Sequence, residues 1–598
     1  MKRKSLILVL SSLALASCGG ASSSYASGLS VQQSSASGLS TQQSSASESS
    51  ASESSVSQSA SESSASQSQS ESSASQSQSE SSASQSQSES SASSSESSSA
   101  ATPVTLDFTG IVSLMNDPEN SEKEFTFHYD SSDLTKDNMV FNPNLAMLGL
   151  AMTNASSLPE RATAVFGNAG FDEHLDISTL EGKPTIDSVG FAIGSRTVNG
   201  SDQIIVAFRG EHYGAEWSSN LYAMPSEEKD DYNGDHYGFH LSALKAKAAI
   251  EKFIADNELA NPTYLLTGYS RGAAIADLTA AMLIDDGNED NVYCYTYCTP
   301  APMLASNDKD AYNAIFNFVN PNDMVPMLMP ASYGFVRPGI EIDITKGAST
   351  FSEIFQAYEL YDPQIDEGND FAYLLGLKDE EGNPLNSGKD SFGTLLSILT
   401  REVTPEEIER GCGDYDTLEK YRDNLQTPAR ELIEDFLSFT DLQFSMETIA
   451  PLLPDAMEAL QNLWADDGFD EEEPEVEYDP HKIATLVKKI LASQNYYPEG
   501  EEPEPAESSS SEPATIHYYD GERMNRNADA AQKVLRNMNI GLTMRFIDQG
   551  ETVEDARTKL STFAMMGLAI SKAKPVICRH APDTVYALVR NYCETINE

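Results

Sequence analysis

Basic residues are scarce in this chain. Its 598 residues hold 38 Lys and Arg against 92 Asp and Glu, a formal net charge of -54. That balance argues against nucleic-acid binding, because phosphate contacts need Lys and Arg. It favours solubility and repels anionic surfaces. Cysteine is sparse too, with six residues and no C-x-x-C pair. Five of them (Cys294, Cys298, Cys412, Cys578, Cys593) are an odd number at irregular spacing. That is neither a disulfide framework nor a zinc site, and no metal is expected. Cys294 and Cys298 share one apolar stretch and read as small core residues.

The apolar run Leu6 to Leu15 is too short to span a bilayer. It follows Lys2, Arg3 and Lys4, so residues 1–17 read as a secretory signal. Leu15-Ala16-Ser17-Cys18 resembles the bacterial lipobox. The resemblance implies cleavage before Cys18 and a lipid on its thiol, which would anchor the protein on the extracellular face of a bacterial membrane without a spanning helix. Residues 18–101 are mostly Ser, Ala, Gln and Glu, and a nine-residue unit, SESSASQSQ, starts at Ser61, Ser70 and Ser79. There is almost nothing apolar to bury, so the stretch is expected to be a disordered tether. About 80 flexible residues have an end-to-end distance of roughly 50 Å.

What is present begins near Thr102. The stretch that organises the rest is Thr263 to Ala280, TYLLTGYSRGAAIADLTA. It reads as a buried strand, a tight turn at Gly268-Tyr269-Ser270-Arg271-Gly272, and a helix of small residues. Chance supplies a G-x-S-x-G in a chain this long at odds of roughly one in five. The strand before it and the helix after it carry the assignment of Ser270 as a nucleophile. Gly268 and Gly272 leave room where strand and helix backbones nearly touch. The Arg271 N–H, at the helix N-terminus, would face a negative oxygen forming beside Ser270.

Around the elbow, Val189–Ile193 and Gln203–Phe208 read as strands with a turn at Asn199-Gly200. A helix is expected over Leu241–Asn257, and further strands over Val292–Tyr297 and Ala314–Val319. Alternating strands and helices imply a mostly parallel sheet, with chemistry at the carboxyl ends of its strands. Ser270 and Asp323 sit at such ends.

Several motifs occur here in order: Phe208-Arg209-Gly210, Trp217, His236-x-Gly238-Phe239, the elbow, Tyr295-Thr-Tyr-x-x-Pro300 and Asn322-Asp323-x-Val325-Pro326. Together they resemble the class 3 (fungal-type) lipases over about residues 185–330. The resemblance implies an α/β-hydrolase fold and a Ser-Asp-His triad, with His236 structural. Two departures stand out. That family usually has Thr or Ser after F-R-G, whose hydroxyl helps to build the oxyanion hole, and here the residue is Glu211. A carboxylate there is unfavourable unless turned away or protonated. Arg271 replaces a small or apolar residue after the serine. Its side chain could reach a polar or anionic part of a substrate, although a surface salt bridge is the commoner outcome.

From 348 to 513 the composition shifts to amphipathic helices (Phe351–Tyr358, Thr404–Arg410, Pro428–Phe439, Pro454–Trp464, His481–Ser493) between acidic, Pro-bearing runs. This reads as a helical insertion, either a lid or a plain structural addition. The hydrolase core is then 102–347, completed by 514–598. Within that last part Ile516–Tyr519 reads as a short strand and Val553–Ile570 as a helix capped by Thr552 and Asp555.

Acyl transfer needs a base for the serine proton and a carboxylate to orient that base. In α/β-hydrolases the chain order is Ser, Asp, His. Three His follow Asp323. His481 opens an amphipathic helix and reads as a surface residue. His517 is the second candidate. His580, before Ala581-Pro582 and with Tyr586 six residues on, resembles the place where related lipases carry their base. The reading is therefore Ser270, Asp323 and His580, with the oxyanion held by the Arg271 N–H and a group of the Arg209–Glu211 loop. No cofactor is required. The substrate is expected to be a lipid or other ester, and the acidic segment His212 to Tyr237 argues against strong activation on fat droplets. The other readings are a catalytically inactive hydrolase fold used for binding, and an adhesion module on a stalk.

Overall fold

The computed structural model describes residues 103–596, apart from 183–184, 186, 211–215, 217–218, 228–231, 324, 328, 330, 346–349, 365–404, 411, 416, 440–441, 443–449, 470–476, 502–514, 549 and 559–577. The expected signal, Cys18 and the tether lie outside the described residues. So do Glu211 and Trp217.

The chain enters as an antiparallel hairpin, β1 (Thr105–Ser113) and β2 (Glu122–Asp130). Helix α1 (Pro143–Ala155) follows, and its N-cap Asn142 accepts the backbone N–H groups of Asn144 and Leu145. Pro143 at the first helical position loses nothing, since that N–H has no partner within the helix. Helix α2 (Pro159–Asn168) leads to the edge strand β3 (His174–Asp176).

The central sheet is then laid down. Strands β4 (Phe191–Val198) and β5 (Ser201–Phe208) pair antiparallel across the Asn199-Gly200 turn, where both residues have positive φ. Helix α3 (Tyr237–Asp256) crosses over to β6 (Pro262–Tyr269). Helix α4 (Arg271–Leu283) crosses to β7 (Val292–Tyr297). The sheet is completed by β8 (Ile315–Val319) and β9 (Ile340–Asp343). Its spatial order is β9-β8-β7-β6-β5-β4-β3, and pairing is parallel from β5 to β9.

Side chains alternate across this sheet. Ile205, Ala207, Leu265, Tyr295 and Phe316 join one apolar cluster, together with α1 residues such as Leu145 and Leu148. Ile204, Val206, Phe208, Leu266 and Cys294 join the other, with Ala243 and Ile250 of α3 and Ile275 and Leu278 of α4. Helices thus cover both faces, and the strands buried on both sides read as continuous apolar runs. This is the mostly parallel α/β-hydrolase architecture that the sequence implied.

Helix α5 (Phe351–Ala357) carries a capping box between Thr350 and Glu353. The expected helices of 404–493 occupy Pro405–Glu409, α6 (Thr427–Ser438), α7 (Leu453–Asn462) and α8 (Lys482–Ala492). Short strands Tyr496–Pro498 and His517–Tyr519 pair in parallel. A 28-residue helix, α9 (Gly521–Asp548), follows. The sequence reading had no element there, because Asn, Gly and charged residues dilute the apolar period. Packing overrides that weak local preference: α9 supplies Val534, Leu542 and Phe546 to a cluster with Tyr415, Tyr421 and Trp464. The same cluster includes Leu221, Ala223, Val325 and Tyr333, so the added helices sit on the loop that follows Asp323. The Thr552–Asp555 cap is present at 3.1 Å from the Asp555 N–H to Thr552 Oγ1. Helix α10 (Pro582–Thr595) closes the chain in the α1 cluster.

Candidate active site

Strand β6 ends at Tyr269 and α4 begins at Arg271, so one residue turns the chain. Ser270 does so with φ 57° and ψ -129°. A non-glycine residue at positive φ costs free energy and persists where its surroundings over-determine it. Here the Ser270 N–H donates to the Tyr297 carbonyl at 2.9 Å, and the Ser270 carbonyl accepts the Ala273 N–H at 2.9 Å.

The two elbow glycines have a steric reason. A Cβ on Gly268 would stand 2.4 Å from the Gly272 carbonyl oxygen. One on Gly272 would stand 2.0 Å from the Arg209 carbonyl oxygen. Only hydrogen fits at either place. Gly272 is therefore what lets the chain after β5 run against the first turn of α4. Arg209 itself turns inward, where its guanidinium pairs with Glu216 at 3.2 Å, and both side chains are buried.

The structure brings Ser270, His580 and Asp323 together. Asp323 is fully buried just past β8, and its Oδ1 accepts the Val325 N–H at 3.0 Å. His580 Nδ1 lies 2.5 Å from Asp323 Oδ2. A carboxylate can only accept, so Nδ1 carries the proton and donates. Nε2 is then the lone-pair nitrogen, and Ser270 Oγ donates to it at 2.9 Å. Nothing in the immediate sequence around His580 foretold its supports. The Tyr269 hydroxyl donates to the His580 carbonyl oxygen, and the Tyr269 ring stacks on the imidazole with centroids 4.9 Å apart. Burial holds the Tyr269 hydroxyl well above its ordinary value, so it stays a donor. Asn320 Nδ2 donates to the Arg579 carbonyl at 3.0 Å. Three residues on, Asp583 accepts the Asn116 backbone N–H and Nδ2, both at 3.0 Å, and burial pushes its carboxyl up to about 7.

The other histidines are elsewhere. His481 is exposed and pairs with Asp529 at 2.8 Å. His517 stacks on Tyr496 at 4.7 Å in the small two-stranded sheet. His236 is wholly buried, accepts the Phe239 N–H and donates to the Asn220 carbonyl at 3.1 Å. Burial pushes it down to about 3, so it is neutral and structural.

Arg271 does not make the surface salt bridge that the sequence suggested. It is buried, and Nε and Nη2 donate to the hydroxyls of Ser219 and Ser242 at 3.0 and 3.1 Å. The Arg271 N–H belongs to the first turn of α4, at the positive end of the helix dipole. Cys298 is buried in the apolar cluster that holds α1, the small core residue that was expected, and it lies beside Asp323 and His580. Ligand-type atoms of the three residues come within 4.8 Å of one another. With Nδ1 and Oδ2 only 2.5 Å apart, they are closer than two ligands of a tetrahedral ion with bonds of roughly 2 Å, and His580 and Asp323 form a hydrogen-bonded pair.

Residues 205–333 match the family model for lipase (class 3). A secreted mono- and diacylglycerol lipase of Fusarium solani is 26% identical over 170 residues, covering 27% of this chain and 50% of the relative. The chain thus spans about half the length of that curated relative. Solved structures that align include a lipase from Rhizopus microsporus var. chinensis (17% identity, 34% of this chain, 74% of that one, TM-score 0.26). A triacylglyceride lipase of Rhizomucor miehei also aligns (21%, 34%, 79%, TM-score 0.24). The segment from Ile205 to Tyr333, which carries Ser270 and Asp323, thus matches the class 3 lipase family on a sheet of α/β-hydrolase topology.

Proposed function

We propose that this protein is a serine carboxylic-ester hydrolase acting on acylglycerols or related lipid esters through an acyl-enzyme. Ser270 attacks the ester carbonyl. His580 takes the serine proton at Nε2 and returns it to the leaving alcohol. Asp323 holds the imidazole and stabilises it when it is charged. The Arg271 N–H and a group of the Arg209–Glu211 loop receive the negative oxygen. Water then enters against the acyl-enzyme, with His580 again as base, and the acid leaves.

The observation that carries this reading is the unbroken relay of 2.9 and 2.5 Å from Ser270 through His580 to Asp323. The family match over 205–333 and the relative's acylglycerol substrates support the choice of a lipid ester. We further propose that residues 1–17 are removed, that Cys18 is lipidated, and that 18–101 tether the hydrolase to the outer face of a bacterial membrane. Among the described residues no helix is long and apolar enough to cross a membrane.

The test is covalent labelling of the full chain with a fluorophosphonate probe, followed by peptide mapping. Label is expected on Ser270, lost in Ser270→Ala and His580→Ala. Asp323→Asn should fold, yet fall by about 10⁴ in kcat, because the amide favours the wrong imidazole tautomer. Full esterase activity in Ser270→Ala would eliminate the scheme.

A further inference from the structure

Asn116 lies in the turn between β1 and β2 and is buried. It bonds to residues 467 and 468 positions away, in the first turn of α10. Its backbone N–H donates to Asp583 Oδ2 and its Nδ2 to Asp583 Oδ1, both at 3.0 Å. The second Nδ2 hydrogen goes to Thr584 Oγ1 at 2.9 Å. That hydroxyl donates in turn to the Cys578 carbonyl at 2.6 Å. Cys578 and Thr584 are thus tied together on either side of His580, and the tie continues into the opening hairpin. Asp583 and Thr584 are as fully buried as Asn116.

Apolar contact alone would seat this hairpin. The Phe125 and Phe127 rings stand 4.4 and 5.9 Å from the Tyr586 ring on α10. A buried carboxylate adds a desolvation cost to that contact, and the cost shows in a carboxyl pushed up to about 7. What it contributes is direction. Apolar surfaces tolerate sliding, whereas a two-pronged amide–carboxylate pair fixes one register. The register matters here because the base sits three residues before Asp583. From the sheet side, Asn320 and Tyr269 hold the carbonyls of Arg579 and His580.

We infer that Asn116, Asp583 and Thr584 are positioning residues for the proposed hydrolysis, through which the opening hairpin sets where the His580 imidazole meets Ser270. The inference rests on the reading of Ser270, His580 and Asp323 as the catalytic relay. The effect runs through the 2.9 Å contact between His580 Nε2 and Ser270 Oγ, so it appears in kcat and not in KM.

The experiment is steady-state kinetics of the full chain on a chromogenic ester, normalised to folded protein, beside the rate of fluorophosphonate labelling. Asn116→Ala is expected to lose about ten-fold in kcat and in labelling rate at unchanged KM, since a shift of about 1 Å costs on the order of 10²-fold and the ring contacts hold the hairpin to less. Asn116→Asp alone sets two carboxylates face to face and should lose at least as much. Combined with Asp583→Asn it exchanges amide and carboxylate across the same gap, and the side-chain oxygen at 583 still meets the backbone N–H at 116. That pair should return to within about three-fold of wild type. Thr584→Val cuts the tie to Cys578 and serves should Asn116→Ala fail to fold, with the same loss in kcat alone expected. Asn138→Ala is the control. Asn138 is also buried and donates twice, to the Glu289 and Val292 carbonyls at 2.6 and 2.8 Å, at the opening end of β7. A purely structural role would lower the melting points of both alanine variants and leave kcat at the wild-type value in both. Wild-type kcat in folded Asn116→Ala (or, failing that chain, in Thr584→Val) would overturn the inference while label stays on Ser270. So would an exchanged pair that recovers stability without rate. Wild-type label on any residue but Ser270 would overturn the relay itself, a result visible before any of these variants is made.

Discussion

Gly272→Ala is the sharpest perturbation the geometry offers. The new methyl carbon would stand 2.0 Å from the Arg209 carbonyl oxygen, 2.8 Å from the Arg209 carbonyl carbon and 3.0 Å from the Phe208 carbonyl oxygen. All three are backbone atoms, so no rotamer change can relieve the overlap. Ordinary contact begins near 3.4 Å, so the chain after β5 must withdraw by more than about 1 Å. That chain continues into the loop expected to supply the second oxyanion group. A displacement of about 1 Å at a reacting centre costs on the order of 10²-fold in rate. Stability should change much less. Overpacking costs about 1–3 kcal/mol, whereas alanine in the first turn of α4 returns up to about 1 kcal/mol over glycine. The assay is kcat/KM on a chromogenic ester, normalised to the fraction of folded protein, beside a thermal melt. Gly182→Ala is the control, since its methyl would meet nothing closer than 3.6 Å. Expected is a loss near a hundredfold for Gly272→Ala with a midpoint lowered by only a few degrees, and no change for the control. A folded Gly272→Ala within about three-fold of wild type would refute the close-approach argument.

Three further outcomes follow from the same geometry. Tyr269→Phe removes the donor to the His580 carbonyl but keeps the stacked ring, and should lower kcat several-fold at unchanged KM for a stability loss of about 1 kcal/mol, read by steady-state kinetics and melting. Arg271→Met removes the guanidinium's bonds to the hydroxyls of Ser219 and Ser242, which keep their own bonds to the Glu216 and Gly238 carbonyls, and should destabilise by about 1 kcal/mol, while the ratio of kcat/KM for anionic and neutral esters stays constant; a change in that ratio would put the side chain in the substrate site after all. His236 is held down to about 3 in the fold against 6.5 when unfolded. As pH falls below 6.5 the unfolded chain binds a proton that the native one refuses, so stability rises with pH between about 3 and 6.5. Its share of the loss from neutral to pH 5 is about 2 kcal/mol, and His236→Gln should lack that share when melts at the two pH values are compared with wild type.

Local signals carried far in this chain. Tyr264–Leu266, the Gly268 and Gly272 pair and the Ala-rich run after them specify a strand, a tight turn and a helix within eighteen residues. The structure has all three with Ser270 at the corner. Asn199-Gly200 names a hairpin because both residues tolerate positive φ, and both adopt it. The amphipathic period placed five helices between 351 and 493 to within a few residues. Helix α9 escaped, since its polar residues hide a period that only its neighbours complete. The opening hairpin and α1 also went unread, although they help to form the core under the sheet.

What the order of residues determined by itself is therefore the short-range part: the elbow, the alternation of strand and helix, and an acid at the end of β8. These depend on backbone sterics and on side-chain periods that act over a few residues. Only the tertiary structure decided which histidine meets Ser270. His580 is 310 positions away, and neither it nor His517 differs in any local property that measures distance to a serine. It decided that Arg271 turns inward onto two hydroxyls, and that Cys298 lies beside a carboxylate just past the next strand of the sheet. Those outcomes are set by how sheet, crossovers and the last helix pack together, and packing is a property of the whole fold that no single stretch of the chain contains.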